Sequence, residues 1–309
     1  MKVRHSSALV FGVSILISVL ISAAALAEEN LKAESSATLE TSLFSMGRFH
    51  FFSSICKSEA GESEELETTP QSPPLNVDDP GTPGCNKWEI NFVVDGDVTK
   101  DERSWELPLL DINYGIGDNL QLKYEVPNLN AQTTETNTSQ VGNSKAGIKY
   151  QFYGLEESKT QIAFYPQVEF ATPNSSQAKP EDQGTITTLP ILFSTTIGKA
   201  ARGDVNMSLN LGYNLSSRIS TADFISAALG LGMPLIKRVA ILAELTTEQA
   251  VALNPDGIRQ HLVKMDIGAV GPINKHFLAF GSVGRSVMSS DEHEHTYVLG
   301  GLRLLADGF

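Results

Sequence analysis

Beyond residue 27 the sequence has no apolar run approaching the ~18 residues that a membrane-spanning helix needs, so helical spans are excluded from the rest of the chain. Cysteine is almost absent. Cys56 and Cys85 are the only two, too few for a closed zinc site. Positive charge is scarce, with 23 Lys and Arg against 36 Asp and Glu and a net charge of -13. So acidic a chain repels phosphate, and no nucleic-acid partner is expected. No glycine-rich loop stands between a strand and a helix. GLGMP and GIGDN fall inside strands or turns, which excludes a phosphate-cradling nucleotide site. A convincing helical period is missing throughout, although 247–260 has room for a short turn.

What is there begins with a basic start, Met1-Lys2-Val3-Arg4-His5, and an uncharged apolar run to Ala27. Ala25-Leu26-Ala27 before Glu28 has the small residues a signal peptidase requires, so residues 1–27 read as a secretory signal cleaved near Ala27. Loss of Lys2 and Arg4 would bring the net charge to about -15. Secretion places Cys56 and Cys85 in an oxidising compartment. They are candidates for one disulfide around a loop of roughly 30 residues, the alternative being two free thiols.

Residues 28–86 have a texture of their own: eleven Asp or Glu, three Lys or Arg, and the acidic, Pro-rich stretch SEAGESEELETTPQSPPLNVDDPGTPG. With few core-forming residues this reads as a disordered or extended linker, or a partial plug. LFSMGRFHFFSSIC (43–56) is an apolar island, and residues 40–56 are expected to constrict the interior or to form a loosely ordered tail.

From Lys87 to Phe309 the pattern changes to alternation. Residues 204–217, DVNMSLNLGYNLSS, put Val205, Met207, Leu209, Leu211, Tyr213 and Leu215 on one face of an extended strand and Asn206, Ser208, Asn210 and Asn214 on the other. About twelve such segments follow one another, near 87–94, 106–114, 119–126, 145–152, 160–170, 186–197, 204–215, 223–232, 238–246, 261–270, 276–286 and 295–305. The 223–232 and 276–286 segments are rich in Gly, Ala and Ser and alternate least clearly.

The connections sort by parity. GIGDN, YGLEESK, GKAARG, MPLIK and GPINK are tight, whereas PNLNAQTTETNTSQVGNS and ATPNSSQAKPEDQGT are long and polar. An up-and-down barrel sends odd links to one rim and even links to the other, and outer-membrane barrels pair short periplasmic turns with long external loops. Trp88, Tyr114, Tyr124, Tyr150, Phe152 and Tyr213 edge the oily parity as interfacial girdles would. The predicted fold is an all-β, up-and-down antiparallel transmembrane β-barrel of about 12 strands with a disordered acidic N-terminal extension.

The opposite parity is then the interior. Glu89, Asp111, Lys123, Glu125, Lys149, Glu169, Arg238, Glu244, Lys264, Asp266 and Arg303 are the predicted lumen-lining charges. Pro108 falls within a strand and predicts a bulge or a strand start.

GTPGCNKWEIN (81–91) and ELPLLDINYGIGDNLQLKYEVP (106–127) together resemble the bacterial family named for the meta pathway of phenol degradation, whose members are often called transporters. The resemblance is sharp over roughly 81–127 and textural beyond. It implies a signal peptide, an outer-membrane barrel and passage of aromatic compounds. In the family pattern Trp follows the Gly-Thr-Pro-Gly run directly. Here Cys85-Asn86-Lys87 intervene, so a Cys56–Cys85 link would be a local feature.

Site chemistry is otherwise sparse. Asp291-Glu292-His293-Glu294-His295, with His261, is the best metal candidate, yet it also reads as a solvated hairpin tip. VVDGDVTKDE (93–102) lacks a full calcium-loop pattern. His261 and His276 begin strands, but no spacing singles out a serine nucleophile with its base. No catalytic residue, metal or cofactor is therefore expected. The expected function is an outer-membrane channel for passive uptake of small, aromatic or hydrophobic solutes. Its partners would be outer-membrane lipid, the barrel-insertion machinery and a small-molecule solute. The alternatives are a non-conducting structural or binding barrel acting through its external loops, or an outer-membrane lipid hydrolase.

Overall fold

The structure is a computed structural model and describes residues 68–133, 135–154, 158–172, 184–253, 257–290 and 293–307. The signal segment and residues 40–56 lie outside the described residues. Fourteen strand segments follow one another: β1 (Lys87–Val98), β2 (Glu102–Gly115), β3 (Leu120–Thr133), β4 (Asn137–Val141), β5 (Ser144–Tyr153), β6 (Thr160–Phe164), β7 (Gln167–Phe170), β8 (Ile186–Ala200), β9 (Gly203–Ser216), β10 (Phe224–Ile236), β11 (Val239–Ala250), β12 (His261–Pro272), β13 (Phe277–Ser289) and β14 (Thr296–Asp307).

All pairings are antiparallel, and β1 pairs β14 from Lys87↔Asp307 to Val98↔Thr296, which closes the sheet. β4 and β5 both follow β3 and are one strand interrupted at Gly142-Asn143. β6 and β7 lie between β5 and β8 and are one strand interrupted at Tyr165-Pro166. The barrel therefore has twelve strands. Closure leaves no sheet edge, so backbone groups find partners without water, as a lipid environment demands.

Alternation separates the two faces. Phe92, Ile191, Leu211, Met265, Ile267 and Val283 stand exposed on the outside, whereas Asn91, Asp111, Asn210, Glu244 and Asp266 on the other parity are buried inside. Trp88 and Tyr114 are register partners with ring centroids 4.5 Å apart, and they mark the outer face near the rim of short turns.

Among the described residues that rim carries 116–119, 154, 158–159, 201–202, 237–238 and 273–276; the opposite rim carries 99–101, 171–172, 184–185, 217–223, 251–253, 257–260, 290 and 293–295. Two links that the sequence pattern leaves long, 95–105 between the first two segments and 127–144, are short. β1 and β2 extend until only 99–101 joins them, and 127–144 is mostly strand, because β3 and β4 continue as a hairpin with register Asn128↔Val141 to Gln132↔Asn137. Polarity alone suggested a loop, but the threonines of this stretch favour extended backbone. Pro108 lies within β2, where the register shifts between Glu106 and Leu109 on one side and between Val93 and Asp95 on the other. The missing N–H is thus placed at a bulge.

Candidate functional site: the occupied lumen

The interior is filled by the chain itself. Residues 68–84 enter at the short-turn rim, bend near Leu75 and Asn76 at mid-barrel height, and return to the same rim before β1. Thr68 meets Asn206 near the start of β9, and at the other leg Thr82 Oγ1 donates to the Asp118 carbonyl at 2.9 Å. The expected linker is, over this part, an ordered plug.

Its sequence explains how it is held. Pro70, Pro73, Pro74, Pro80 and Pro83 have no N–H to satisfy, but every residue still presents a carbonyl. The wall answers with donors. Ser208 Oγ reaches Pro70 O at 3.0 Å, Arg303 Nη2 reaches Pro73 O at 2.9 Å, and Ser282 Oγ reaches Pro74 O at 2.8 Å. Lys149 Nζ spans Asp79 O (2.8 Å) and Gly81 O (3.0 Å), and Asn210 exchanges two hydrogen bonds with the Asp78 backbone. Where the plug does offer N–H groups, at Asn76 and Val77, Glu244 accepts them. Prolines also lose less freedom on ordering, which lowers the entropic cost of fixing such a segment.

One side of the plug is apolar. Leu75 and Val77 are almost fully buried against Val93, Leu109, Ala228, Ala240, Leu242, Val270 and Phe280. Full burial of such side chains contributes about 1.5–3 kcal/mol each. Room for it comes from β10. A Cβ at Gly230 would lie 2.6 Å from Pro70 Cβ, and one at Gly232 would lie 2.1 Å from Thr68 O. The poor alternation of 223–232 is the signature of a wall hollowed to admit the plug.

The other side is a belt of charge and amide. Arg303 Nε donates to Asn91 Oδ1 at 3.0 Å and lies 3.4 Å from Glu89. Asn91 and Asn113 both donate to Asp111 Oδ2, at 2.9 and 3.1 Å. Lys123 bridges Asp111 (3.4 Å) and Glu125 (3.0 Å), and Lys145 continues to Glu125 at 3.2 Å. Gln121 ties Asn113 to the buried Tyr165 hydroxyl.

The predicted charges therefore divide. Glu89, Asp111, Lys123, Glu125 and Arg303 form one belt, and Lys149 and Glu244 hold the plug. Glu169 pairs with Arg218 at 2.6 Å towards the long-loop rim. Lys264 and Asp266 line a chamber beyond the bend. Arg238 is not in the lumen wall: it lies exposed in the two-residue turn Lys237-Arg238, because β10 runs on to Ile236 and pairing resumes at Val239. Alternation did not mark Arg218, Asp95 or Asp97, which fall beyond the strand ends read from sequence, and Lys145, the first residue of the 145–152 segment, was passed over. The lumen-facing Val93, Leu109, Leu242, Val270 and Phe280 sit on the polar parity, and only the plug accounts for them.

Cys85 is disulfide-bonded. Cys56, the other cysteine of the chain, lies outside the described residues.

Three cavities flank the plug. A vestibule of about 1090 Å³ opens at the short-turn rim beside Thr68, with Lys159, Lys199, Arg202 and Lys237 around it. A pocket of about 70 Å³ lies among Asp78, Asp111, Lys123, Lys149 and Tyr165. A chamber of about 180 Å³ lies between Asn76 and the long-loop rim.

The fold is that of an outer-membrane β-barrel. The crystal structure of an outer membrane channel from Pseudomonas putida F1 matches with a TM-score of 0.63 at 10% sequence identity, over 75% of this chain and 100% of that chain. The NanC porin (TM-score 0.49, 9% identity, 70% of this chain and 98% of that one) and the KdgM porin (0.47, 11%, 70% and 98%) are more distant. No protein-family model matches the sequence, and no curated protein does. At such identities the likeness shows the fold alone. An outer-membrane location agrees with it.

The histidines are scattered. His276 is exposed in a turn, and His261 meets Ser290 through its main-chain N–H. His295 Nδ1 lies 2.9 Å from Asp97, and His293 Nδ1 lies 3.8 Å from Asp101. Among the described residues no three His, Cys, Asp or Glu side chains are grouped to hold a metal ion. Asp291 and Glu292 lie outside the described residues.

Proposed function

We propose that this protein is an outer-membrane channel for small solutes whose lumen is closed by its own residues 68–84, and that passage follows displacement of this plug. The observation that carries the reading is the manner of closure. Wall side chains hold the plug by individually modest hydrogen bonds, and the plug pairs with no strand of the sheet, so it can leave without breaking a single barrel pairing. A barrel meant to be solid is more simply filled by side chains of the wall. The resemblance over 81–91 and 106–127 supports aromatic or hydrophobic solutes as the class carried, and the narrowness of a twelve-stranded lumen supports compact ones. The predicted lumen charges other than Arg238 would line the opened path. We take the short-turn rim to be periplasmic, with insertion by the barrel-assembly machinery.

The extent of the plug's contacts favours a second reading, a permanently closed barrel that acts through its long loops. Planar-bilayer conductance and liposome swelling, measured on the full chain and on a deletion of residues 68–84, separate the two. A channel gains conductance on deletion. A deletion variant that keeps the heat-modifiable mobility of a folded barrel, yet passes neither ions nor phenol-sized solutes, defeats the channel reading.

A further inference from the structure

The chamber between the bend of the plug and the long-loop rim has charge that the channel reading does not use. Asp95 and Glu106 are register partners on β1 and β2, so two carboxylates stand opposite each other on adjacent strands. Like charges so placed repel unless a cation lies between them. Asp266, on β12, is 3% exposed, and its Oδ2 has no hydrogen-bond partner. The Asp266 carboxylate lies over Gly284, where a Cβ would fall 1.9 Å from Oδ1, so this wall is shaped around the acid. Among the described residues none of Asp95, Glu106 and Asp266 has an ion-pair partner within 4.0 Å. Among the described residues Lys264 is the one cationic side chain lining the chamber; its Nζ sits 4.3 Å from the centroid of the Tyr297 ring and within 4.0 Å of none of the three acids. A fourth carboxylate, Asp97, is engaged by His295.

Burying unpaired carboxylates is costly, and an arrangement of three against one ammonium is short of positive charge. We infer that this chamber is a binding site for a small organic cation, an ammonium or guanidinium group on a compact body. A metal ion is disfavoured because the carboxylates are not grouped for coordination. An organic cation instead places its charge among separated acids and its body against Pro74 and Leu299. About 180 Å³ is the liquid volume of about six waters, which suits a molecule the size of benzylammonium and excludes oligosaccharides. Asp97, Ser104 and Tyr297 lie near the long-loop ends of β1, β2 and β14, so the ligand would arrive from that rim.

The inference does not depend on conduction. It is tested by isothermal titration of the full chain, in neutral detergent at low ionic strength, with benzylammonium chloride and with benzyl alcohol as the neutral isostere. Saturable binding of the ammonium is expected, with the alcohol, and the ammonium on Asp266→Asn or Glu106→Gln, each weaker by about tenfold or more. Lys264→Met should tighten binding, which keeps the test informative if a carboxylate variant does not fold. Folding is checked by heat-modifiable mobility. No saturable binding, equal binding of ammonium and alcohol, or unchanged affinity in all three variants overturns the inference. So does calcium chloride alone binding with the same dependence on Asp266 and displacing benzylammonium.

Discussion

Asn76 at the bend of the plug and Glu244 on β11 are joined twice: Glu244 Oε1 accepts the Asn76 main-chain N–H at 3.1 Å and its side-chain amide at 3.0 Å. Glu244 Oε2 accepts the neighbouring Val77 N–H. One buried carboxylate thus takes three donors of the plug where it turns.

Glu244→Ala should loosen the plug. Hydrogen bonds to a charged group contribute roughly 1.5–3 kcal/mol each and are not additive. The closed-to-open ratio should therefore fall by a factor of about 10 or more, seen as raised single-channel activity in bilayers. In a background lacking residues 68–84 the same substitution should have little further effect. An equal change in both backgrounds would show that Glu244 acts on the barrel and not on the plug.

Gly232→Val should act by collision. Its Cβ would meet the Thr68 carbonyl, which belongs to the leg tied to Asn206 and Ser208. Overpacking of this kind costs about 1–3 kcal/mol. The outcome to look for is protease cleavage within 68–84 in folded protein. Gly198→Ala, where nothing lies within 4 Å, is the control and should behave as the parent.

Arg303→Met should lower barrel stability rather than merely open it. The guanidinium is 1% exposed and joins Asn91, Glu89 and the Pro73 carbonyl. Removing one member of a buried charged network costs about 3–5 kcal/mol. The temperature at which the compact electrophoretic form converts to the unfolded one should drop markedly. Lys199→Met, at the exposed Lys199–Asp204 pair, should leave it unchanged.

Cys56 and Cys85 should label together or not at all. If they are bonded to each other, denatured, unreduced protein takes up no thiol reagent, and reduction releases two labels per chain. Labelling of either cysteine before reduction would rule out the pairing.

The barrel was legible because alternation is a strong signal when one face meets hydrocarbon and the other does not. β9 shows it clearly, and the short turns delimit the strands. Rims were less legible. Asp95, Asp97 and the 127–141 hairpin look like loop by composition, and nothing local distinguishes polar strand from polar link once the chain leaves the membrane. Arg238 was misplaced for the same reason, one residue beyond a strand end. The plug was legible only as one of two readings of 28–86, because its order is not its own. Leu75 and Val77 are too few to make a core, and they become buried only against Val93, Leu242 and Phe280, far away in sequence. The glycines of β10 and the apolar residues on the wet parity are the traces it leaves in the wall.

Both legs of the plug leave the barrel through the same rim. A strand threaded from one rim to the other would have to be pulled lengthwise through the pore, whereas this one can be withdrawn sideways as a bight of rope is lifted from a ring. If the plug is displaced as proposed, a pull at Thr68 from the short-turn side would meet the contacts to Asn206, Ser208, Arg303 and Ser282 one after another before it reached the bend.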